Sequence, residues 1–262
     1  MPTAATPLTR EQVLDELDFL ASVEHSVIVE YLSVHCALGH DLDPADTGAA
    51  AQNVAAAAAK ASAFAQIVMI HLPSLNEALV RANRPHLELV RVSSIRATSG
   101  AQIPLGPLSR TQLERLVDRE LELARAVDER FARLRDAVAT PGLFDGDVLD
   151  AVDEALAAPE HSGFAADLKQ DLDGIPPSVY LRATPRDPTD DLEAGLLDLS
   201  DHSYHLLLEI LGIFFNPENQ LLNAGQTIAA MKAVDKANRL LVGRGLLPPF
   251  TPVTTVSDPS LP

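Results

Sequence analysis

Four ionisable side chains between residues 198 and 209 have the spacing of one helix face. Asp198, His202, His205 and Glu209 follow one another at steps of four, three and four residues, so an α-helix would project all four to the same side. Two imidazoles on adjacent turns suit one transition-metal ion. The alternative is a polar stripe that faces solvent. Spacing does not decide whether the two acids bind an ion directly or support the histidines.

Three more polar residues interrupt helical faces that are otherwise apolar. Glu30 and Glu120 each lie on a seam of apolar residues at helical spacing, and His71 does so in another segment. A buried carboxylate is costly unless a cation or hydrogen-bond donors compensate its charge. The simpler alternatives are glutamates at the edge of a seam, reaching water or Arg119, and a core histidine with an ordinary hydrogen bond.

Taken together, these residues favour one inner site, because four long helical segments each carry a metal-compatible side chain near the middle of a face. We therefore expect a metal site formed by Glu30, His71, Glu120, His202 and His205. Among them, Glu30, Glu120 and His205 are also the expected catalytic residues.

Helical periodicity and capping signals predict four helices of about 25 to 33 residues and a fifth, shorter one. The predicted helices run from the Thr9/Gln12 capping box to Gly39, from Ala49 to Ala82, from the Ser109/Gln112 capping box to near Pro141, from Asp190 to Phe215, and from Asn219 to Val242. Pro73 lacks a backbone N–H, so it should kink or interrupt the second helix.

The remaining segments predict no further large element. Residues 84–108 are typical of an extended loop without a β-hairpin signal, and residues 141–190 predict small helices in a long excursion that covers one end of a bundle. The fold class is therefore all-α, a four-helix bundle with additional helices. We expect one domain over residues 1–250 and an extended tail over 251–262.

Charge and cysteine content restrict the class of partner. The chain has 37 acidic and 20 basic residues and a formal charge of −17, which repels nucleic acid and anionic membranes. The single cysteine, Cys36, excludes an internal disulfide. We expect no apolar run long enough to span a membrane, and the N-terminus lacks the order of a signal peptide. These features favour a cytoplasmic location.

Three stretches resemble bacterial ferritin-like proteins. The first is ASVEHSVIVEYLSVHCALG, with a Val-Glu-His run followed by Glu-Tyr-Leu. The others are HLPSLNEALVRANRPHL and QIPLGPLSRTQLERLVDRELE, which resemble the second helix and the loop that leads to the third. The resemblance covers residues 14–125 and, more loosely, 195–212. The proteins that the chain resembles include those related to the imine-dimer synthase ferritin-like domains.

The resemblance implies a two-metal site, usually of iron, held by one glutamate from each of two helices and a Glu-x-x-His pair from each of the others. Glu30 and Glu120 would match the lone glutamates, and His71 and His205 the two histidines.

Both bridging glutamates of that pattern are missing from this chain. Val68 and His202 occupy their positions, and the sequence contains no Glu-x-x-His or Asp-x-x-His at all. Two adjacent ions repel each other unless carboxylates bridge them. We therefore expect one ion of iron, manganese or zinc. A two-metal site that uses Asp198, Asp201 or Glu209 and a site without metal remain the alternatives.

These observations predict a metal-dependent ferritin-like oxidoreductase that acts on a small-molecule substrate in bacterial secondary metabolism, in an oxidative tailoring step. One alternative is a metal-free isomerase, cyclase or dehydratase in which glutamate and histidine exchange protons. A non-catalytic binding protein is the other. A homodimer is a further expectation, because long apolar helices often pair, although no particular residue indicates it.

Overall fold

The computed structural model describes residues 7–39, 48–97, 99–105, 108–218 and 224–256. Its helices are α1 (Arg10–Leu38), α2 (Ala49–Arg81), α3 (Arg110–Glu114), α4 (Leu116–Val138), α5 (Gly146–Leu156), α6 (His161–Leu172), α7 (Pro177–Tyr180), α8 (Asp191–Phe215) and α9 (Ala224–Val242). Its strands are β1 (Arg91–Val92), β2 (Ser94–Arg96), β3 (Gln102–Pro104) and β4 (Thr255–Val256).

Both predicted capping boxes are confirmed. At the start of α1 the Thr9 hydroxyl accepts the N–H of Gln12, and the Gln12 side chain accepts the N–H of Thr9. Ser109 and Gln112 form the same pair before α3. Such reciprocal bonds satisfy backbone donors that the first helical turn leaves without partners. Gly39 ends α1 with a φ of 95°, a conformation that residues with a Cβ rarely adopt.

Two helices differ from the sequence-based prediction, one in its continuity and the other in its division. Pro73 lies inside α2 without interrupting it, because the buried side chains of Leu72 and Leu75 pack into the core on both sides of the proline. The predicted third helix is instead divided at Arg115 into α3 and α4. The Arg115 N–H donates to the Gln112 carbonyl at 3.2 Å, which is the tighter 3₁₀ type of turn.

Helices α1, α2 and α4 form three sides of the bundle. The fourth side is formed by α5 and α6 and not by the long helix that begins near Asp190. Helix α1 packs on α2 and on α4, and α6 packs on α2 and α4 from the opposite side. Helix α5 packs against the same two helices. Residues 141–190 were expected to cover one end of the bundle. Their helices α5 and α6 run along it and close it.

Helices α8 and α9 form an outer hairpin on this bundle. Helix α8 packs chiefly on α9, where the Ser200 hydroxyl donates to the Asn238 side chain at 2.7 Å. Tyr204 connects α8 to α1, because its hydroxyl lies 3.4 Å from Nε2 of His25. The long fourth helix of the sequence-based prediction is therefore present as α8, but in an outer layer.

The segment after α2 contains short strands that the sequence did not predict. Strands β2 and β3 pair antiparallel, with Ile95 opposite Ile103. Strand β1 pairs parallel with β4, which attaches the expected tail to the bundle as far as Val256. Residues 257–262 and the expected start of the fifth helix at Asn219 lie outside the described residues.

Helix α2 is long and apolar enough to cross a membrane by length and composition alone. An 18-residue window in it has a mean hydropathy of 1.4, and 44% of that window is buried inside the protein. The expectation that no apolar run reaches such a length is therefore not met by α2. Its packing on α1, α5 and α6 accounts for the apolar composition, since core helices carry such residues.

Candidate functional site

Glu24 lies at the centre of the bundle and is fully buried on α1. Two imidazoles reach its carboxylate from other helices. His71 Nδ1, from α2, lies 3.5 Å from Glu24 Oε1, and His161 Nε2, from α6, lies 3.3 Å from the same oxygen. We call Glu24, His71 and His161, together with Asp128 of α4, the His–Glu cluster.

The tautomer of His71 follows from its second ring nitrogen. Nε2 lies 2.8 Å from the carbonyl oxygen of Ala155 on α5. A carbonyl only accepts hydrogen bonds, so Nε2 carries the proton and donates it. Nδ1 of His71 and Oε1 of Glu24 face each other, and each lacks a hydrogen-bond partner among the described residues.

Asp128 holds His161 in place and also caps α6. Its carboxylate accepts the backbone N–H groups of His161 and Ser162 at 2.9 and 2.8 Å, which are free donors at the start of a helix. The same carboxylate lies 3.0 Å from Nδ1 of the His161 ring. Nδ1–H therefore donates to Asp128, and Nε2 is directed at Glu24.

The charges of the cluster shift the pKa values of its members. Burial disfavours the charged imidazole, but Glu24 and Asp128 outweigh burial and raise the pKa of His161 to about 9. Burial would also raise the pKa of Glu24, yet His161 and His71 hold it below its usual value. The pKa of Asp128 falls to about 2, because hydrogen bonds from His161 and Ser162 overcome its desolvation. Without another cation, the cluster thus contains an imidazolium between two carboxylates.

Aromatic rings enclose the cluster. Phe131 of α4 stacks on His161 at 6.2 Å between ring centroids and meets His71 edge-on at 5.8 Å. Phe64 of α2 packs against His161 at 5.3 Å. These contacts fix the imidazole planes and surround the charges with apolar surface. A low-polarity surrounding strengthens electrostatic interactions at the site.

As the side chains stand, no group of three or more His, Cys, Asp and Glu within the described ranges is placed to hold a metal ion. The donor chemistry of the His–Glu cluster nevertheless fits one ion. Two nitrogens lie 3.3 and 3.5 Å from one carboxylate oxygen, and atoms bound to one ion at about 2.1 Å are separated by about 3.0 to 3.5 Å. The carbonyl and the carboxylate behind the two imidazoles are the partners that orient metal-binding histidines.

A second buried set, the Arg–Glu cluster, consists of Glu30, Arg91, Arg119 and Glu120. Nη1 of Arg119 lies 3.0 Å from Glu30 Oε2 and 2.6 Å from Glu120 Oε1. Arg91, held by the Phe250 carbonyl at 2.8 Å, reaches Glu30 Oε1 at 3.4 Å. Burial and the charge of Glu30 outweigh Arg119 and raise the pKa of Glu120 to about 7.

The two clusters occupy different levels of the bundle. Glu24 and Glu30 are six residues apart on α1, which corresponds to about 9 Å along a helix axis. Ions in two-metal centres are only about 3.5 to 4 Å apart. The guanidinium groups of Arg91 and Arg119 supply positive charge at the level of Glu30. The expected pair Glu30 and Glu120 is thus brought together, but around arginine.

His202 and His205 lie on the outer side of α8. His202 is exposed, and its Nδ1 lies 2.7 Å from the Asp198 carbonyl of its own helix. His205 is partly exposed and reaches the Thr251 carbonyl at 3.1 Å. Asp201 lies 3.9 Å from His205 and accepts the Thr251 N–H. These contacts secure the tail on α8, and the two histidines do not join His71.

The structure does not bring the five residues of the expected inner site together. Of its five members the structure brings Glu30 and Glu120 together, places His71 in the His–Glu cluster, and leaves His202 and His205 outside the bundle. Sequence reasoning missed Glu24, Asp128 and His161. The sequence could have identified Glu24 as a candidate, because Glu24 belongs to the Val-Glu-His run. Asp128 and His161 lie in different segments, and no local spacing connects them.

A cleft of about 500 Å³ lies next to the His–Glu cluster between α4 and the start of α6. Its lining includes Asp128 and Phe131, which both touch His161, and also Arg135, Glu160 and Ser162. A second cleft of about 590 Å³ shares Arg135 and extends along the end of α4. Asp128 is the member of the His–Glu cluster that lines the first cleft, and Glu24, His71 and His161 are buried.

Comparison with known proteins identifies the fold. No family model matches the chain, and no curated protein matches it. The crystal structure of a ferritin-like protein from Caulobacter vibrioides matches with a TM-score of 0.53 and 16% identity, over 95% of this chain and 99% of that one. At this identity the likeness concerns the fold alone. The predicted all-α, ferritin-like fold is confirmed, and the finer resemblance to imine-dimer synthase domains stays a prediction.

Proposed function

We propose that this protein is a metal-dependent enzyme that holds a single transition-metal ion between Glu24, His71 and His161. The observation that carries the proposal is the convergence of two imidazole nitrogens on one buried carboxylate oxygen, at 3.5 and 3.3 Å. The opposite nitrogen of each ring is occupied by Ala155 or Asp128. On the converging side of the cluster, an ion would be held in place of the proton on Nε2 of His161.

The composition of the set favours iron(II), manganese(II) or zinc(II). Two imidazoles with one carboxylate and open positions are typical of mononuclear non-haem iron oxygenases. Such an ion, when bound, supplies redox or Lewis-acid chemistry. The residues of this chain orient the ligands, keep Glu24 ionised and exclude water through Phe64 and Phe131. An oxidative step on a small organic molecule in the bacterial cytoplasm is the function that this arrangement supports best.

One ion is favoured over two, because the second level of the bundle already contains cations. Arg119 contacts both Glu30 and Glu120, and Arg91 contacts Glu30. A second divalent ion there would have to displace or repel a guanidinium group. Val68 stands where the resemblance implies a bridging acid on α2, which leads to the same number.

Glu120 supports a second candidate, a metal-free acid–base enzyme. Its pKa of about 7 lies where a carboxyl group both gives and takes protons efficiently at neutral pH. One oxygen of Glu120 and the hydroxyl of Tyr31, both buried, lack hydrogen-bond partners among the described residues. The two groups are close enough to interact, because the charge of Glu120 adds to burial in raising the pKa of Tyr31. The chemistry would then belong to the Arg–Glu cluster.

Elemental analysis of the purified, untagged protein tests the first proposal. We expect about one equivalent of iron, manganese or zinc per chain, and loss of most of it in Glu24→Gln, which preserves shape but removes a charged ligand. His205→Ala is the matched control, because His205 lies on the outer side of α8, and it should retain the metal. Circular dichroism of each variant establishes that it is folded.

The outcomes separate the candidates. Metal retained in Glu24→Gln but lost in His205→Ala would contradict the His–Glu cluster as the site. No metal after reconstitution with each of the three ions would contradict metal dependence. If Glu120→Gln then abolishes a reaction that is insensitive to chelators, the acid–base candidate replaces the first.

A further inference from the structure

The outward face of α8 carries large apolar side chains in a regular row. Leu192, Leu199, Leu206 and Ile213 recur every seven residues, and they are 56, 52, 60 and 38% exposed. We call these four residues the α8 stripe. Large apolar patches are rare on surfaces that only meet water, and they mark interaction sites.

The opposite face of α8 fixes the stripe in its outward position. Ser200 bonds Asn238 of α9, and Tyr204 reaches His25 and packs edge-on against Phe250. Phe215 and Leu208 are buried on the same inner face. A rotation of α8 that hid the stripe would break these contacts. Apolar residues on two opposite faces of a helix are typical of a helix that is buried against other protein surfaces on both of those faces.

The two flanks of the stripe differ in character. On one side lie Asp191, Asp198, His202, His205 and Glu209, and on the other Leu196, Ser203, Ile210 and Phe214. With 3.6 residues per turn, the first set lies along one edge of the stripe and the second set along the other edge. The whole face is therefore asymmetric, with a polar and an apolar border.

We infer that the α8 stripe binds the same stripe of a second copy of this chain, with the two helices antiparallel. A seven-residue apolar repeat is the spacing along which two helices pack side by side. A two-fold axis perpendicular to antiparallel helices sets each flank against its own equivalent. The apolar border with Ile210 and Phe214 then meets the apolar border of the other copy.

The polar border meets its own equivalent as well. The middle of the stripe lies between His202 and Ser203, so the two histidines are the border residues nearest the two-fold axis, and Asp198 of one copy lies two positions from both His205 and Glu209 of the other. A parallel pair would set the acidic border against the apolar border, where charged groups lose solvation without partners. The chain carries a charge of −17, which disfavours an anionic membrane as the occupant.

Sedimentation velocity measures the association directly. The wild type is expected to be a dimer at micromolar concentration, and Leu199→Glu combined with Leu206→Glu should shift it to a monomer. Ile67→Glu with Ile70→Glu is the matched control. These isoleucines of α2 are 39 and 76% exposed, and the double variant adds the same charge on another surface. It should remain a dimer.

Disulfide trapping tests the direction of the helices. Ser203→Cys lies next to the two-fold axis, so oxidation should cross-link the two copies. Gly195→Cys, which has open space around its Cβ, would be about 22 Å from its equivalent in the antiparallel pair and should not link. Native Cys36 does not compete, because burial raises its thiol pKa to about 12.

Three results would overturn the inference. They are a monomeric wild type, a dimer that survives the two α8 substitutions, and cross-links of Gly195→Cys without those of Ser203→Cys. None of these measurements depends on metal content. The inference and the proposed function therefore succeed or fail separately.

Discussion

Helix α8 carries Asp198, His202 and His205 within about two turns, whereas α5 and α6 contribute to the His–Glu cluster only the carbonyl of Ala155 and the side chain of His161. The first region has the denser pattern in the sequence, yet its histidines bond their own helix and the tail. The second region has no regular pattern, and it closes the bundle. Convergence in space, rather than density along the chain, creates the buried site.

The largest expected difference between the two regions is in stability. His161→Ala leaves Glu24 buried without its main counter-charge, and breaking a buried ion pair in this way costs about 3 to 5 kcal/mol. His202→Ala removes an exposed ring and should change the free energy of unfolding by less than about 0.5 kcal/mol. Urea denaturation of the chelator-treated proteins measures both. Equal effects would contradict the contrast between the regions.

Arg119 tests the second interior level in the same way. Arg119→Met keeps most of the side-chain volume but removes the guanidinium that contacts Glu30 and Glu120. Arg91 still reaches Glu30, so the expected loss is smaller, about 2 to 3 kcal/mol. Arg239→Met, at an exposed ion pair with Asp235 on α9, is the surface control and should cost less than about 1 kcal/mol.

Stability should also depend on pH through Glu120. Its folded-state pKa of about 7 lies above the usual 4.5, so the folded protein binds this proton more tightly than the unfolded chain. The stabilisation is fully present below pH 4.5 and is lost as the pH rises through 7, by at most about 1.4 kcal/mol per pH unit. Glu120→Gln should abolish this contribution. An unchanged slope between pH 5 and 7.5 in that variant would assign the proton to another group.

The smallest effect is expected where α8 meets the bundle. Tyr204→Phe removes the hydroxyl that lies 3.4 Å from His25 and should cost about 1 kcal/mol. The ring contact with Phe250 remains, so α8 should stay docked. Hydrogen exchange of the α8 amides, compared with those of α1, measures whether only the outer hairpin becomes less protected. Faster exchange across α1 as well would show that α8 supports the whole bundle.

The sequence was sufficient for the elements that local signals define. The capping boxes at Thr9 and Ser109, the end of α1 at Gly39 and the all-α class depend on neighbouring residues and on helical periodicity. The break at Arg115 and the continuity of α2 through Pro73 depend on packing, so local rules could not decide them.

The site was less accessible to sequence reasoning than the fold. The apolar seams correctly predicted that Glu30 and Glu120 are buried. Their charges are compensated by arginine side chains, and the sequence analysis had kept a contact with Arg119 as an alternative. His161 contacts Glu24 across 137 positions of the chain. Such a contact leaves no periodic trace, because it depends on how a long connection returns to the bundle.

The parallel pairing of β1 with β4 has a consequence for synthesis on the ribosome. Arg91 lies in β1, and its guanidinium donates to the carbonyl of Phe250, 159 residues later. Helices α1, α2 and α4 emerge long before that partner does. Until then Glu30 and Arg119 face each other without the second guanidinium in its final place. A segment translated much later than the bundle helices therefore completes the interior, and a nascent chain halted before residue 250 would hold a bundle with an unfinished core.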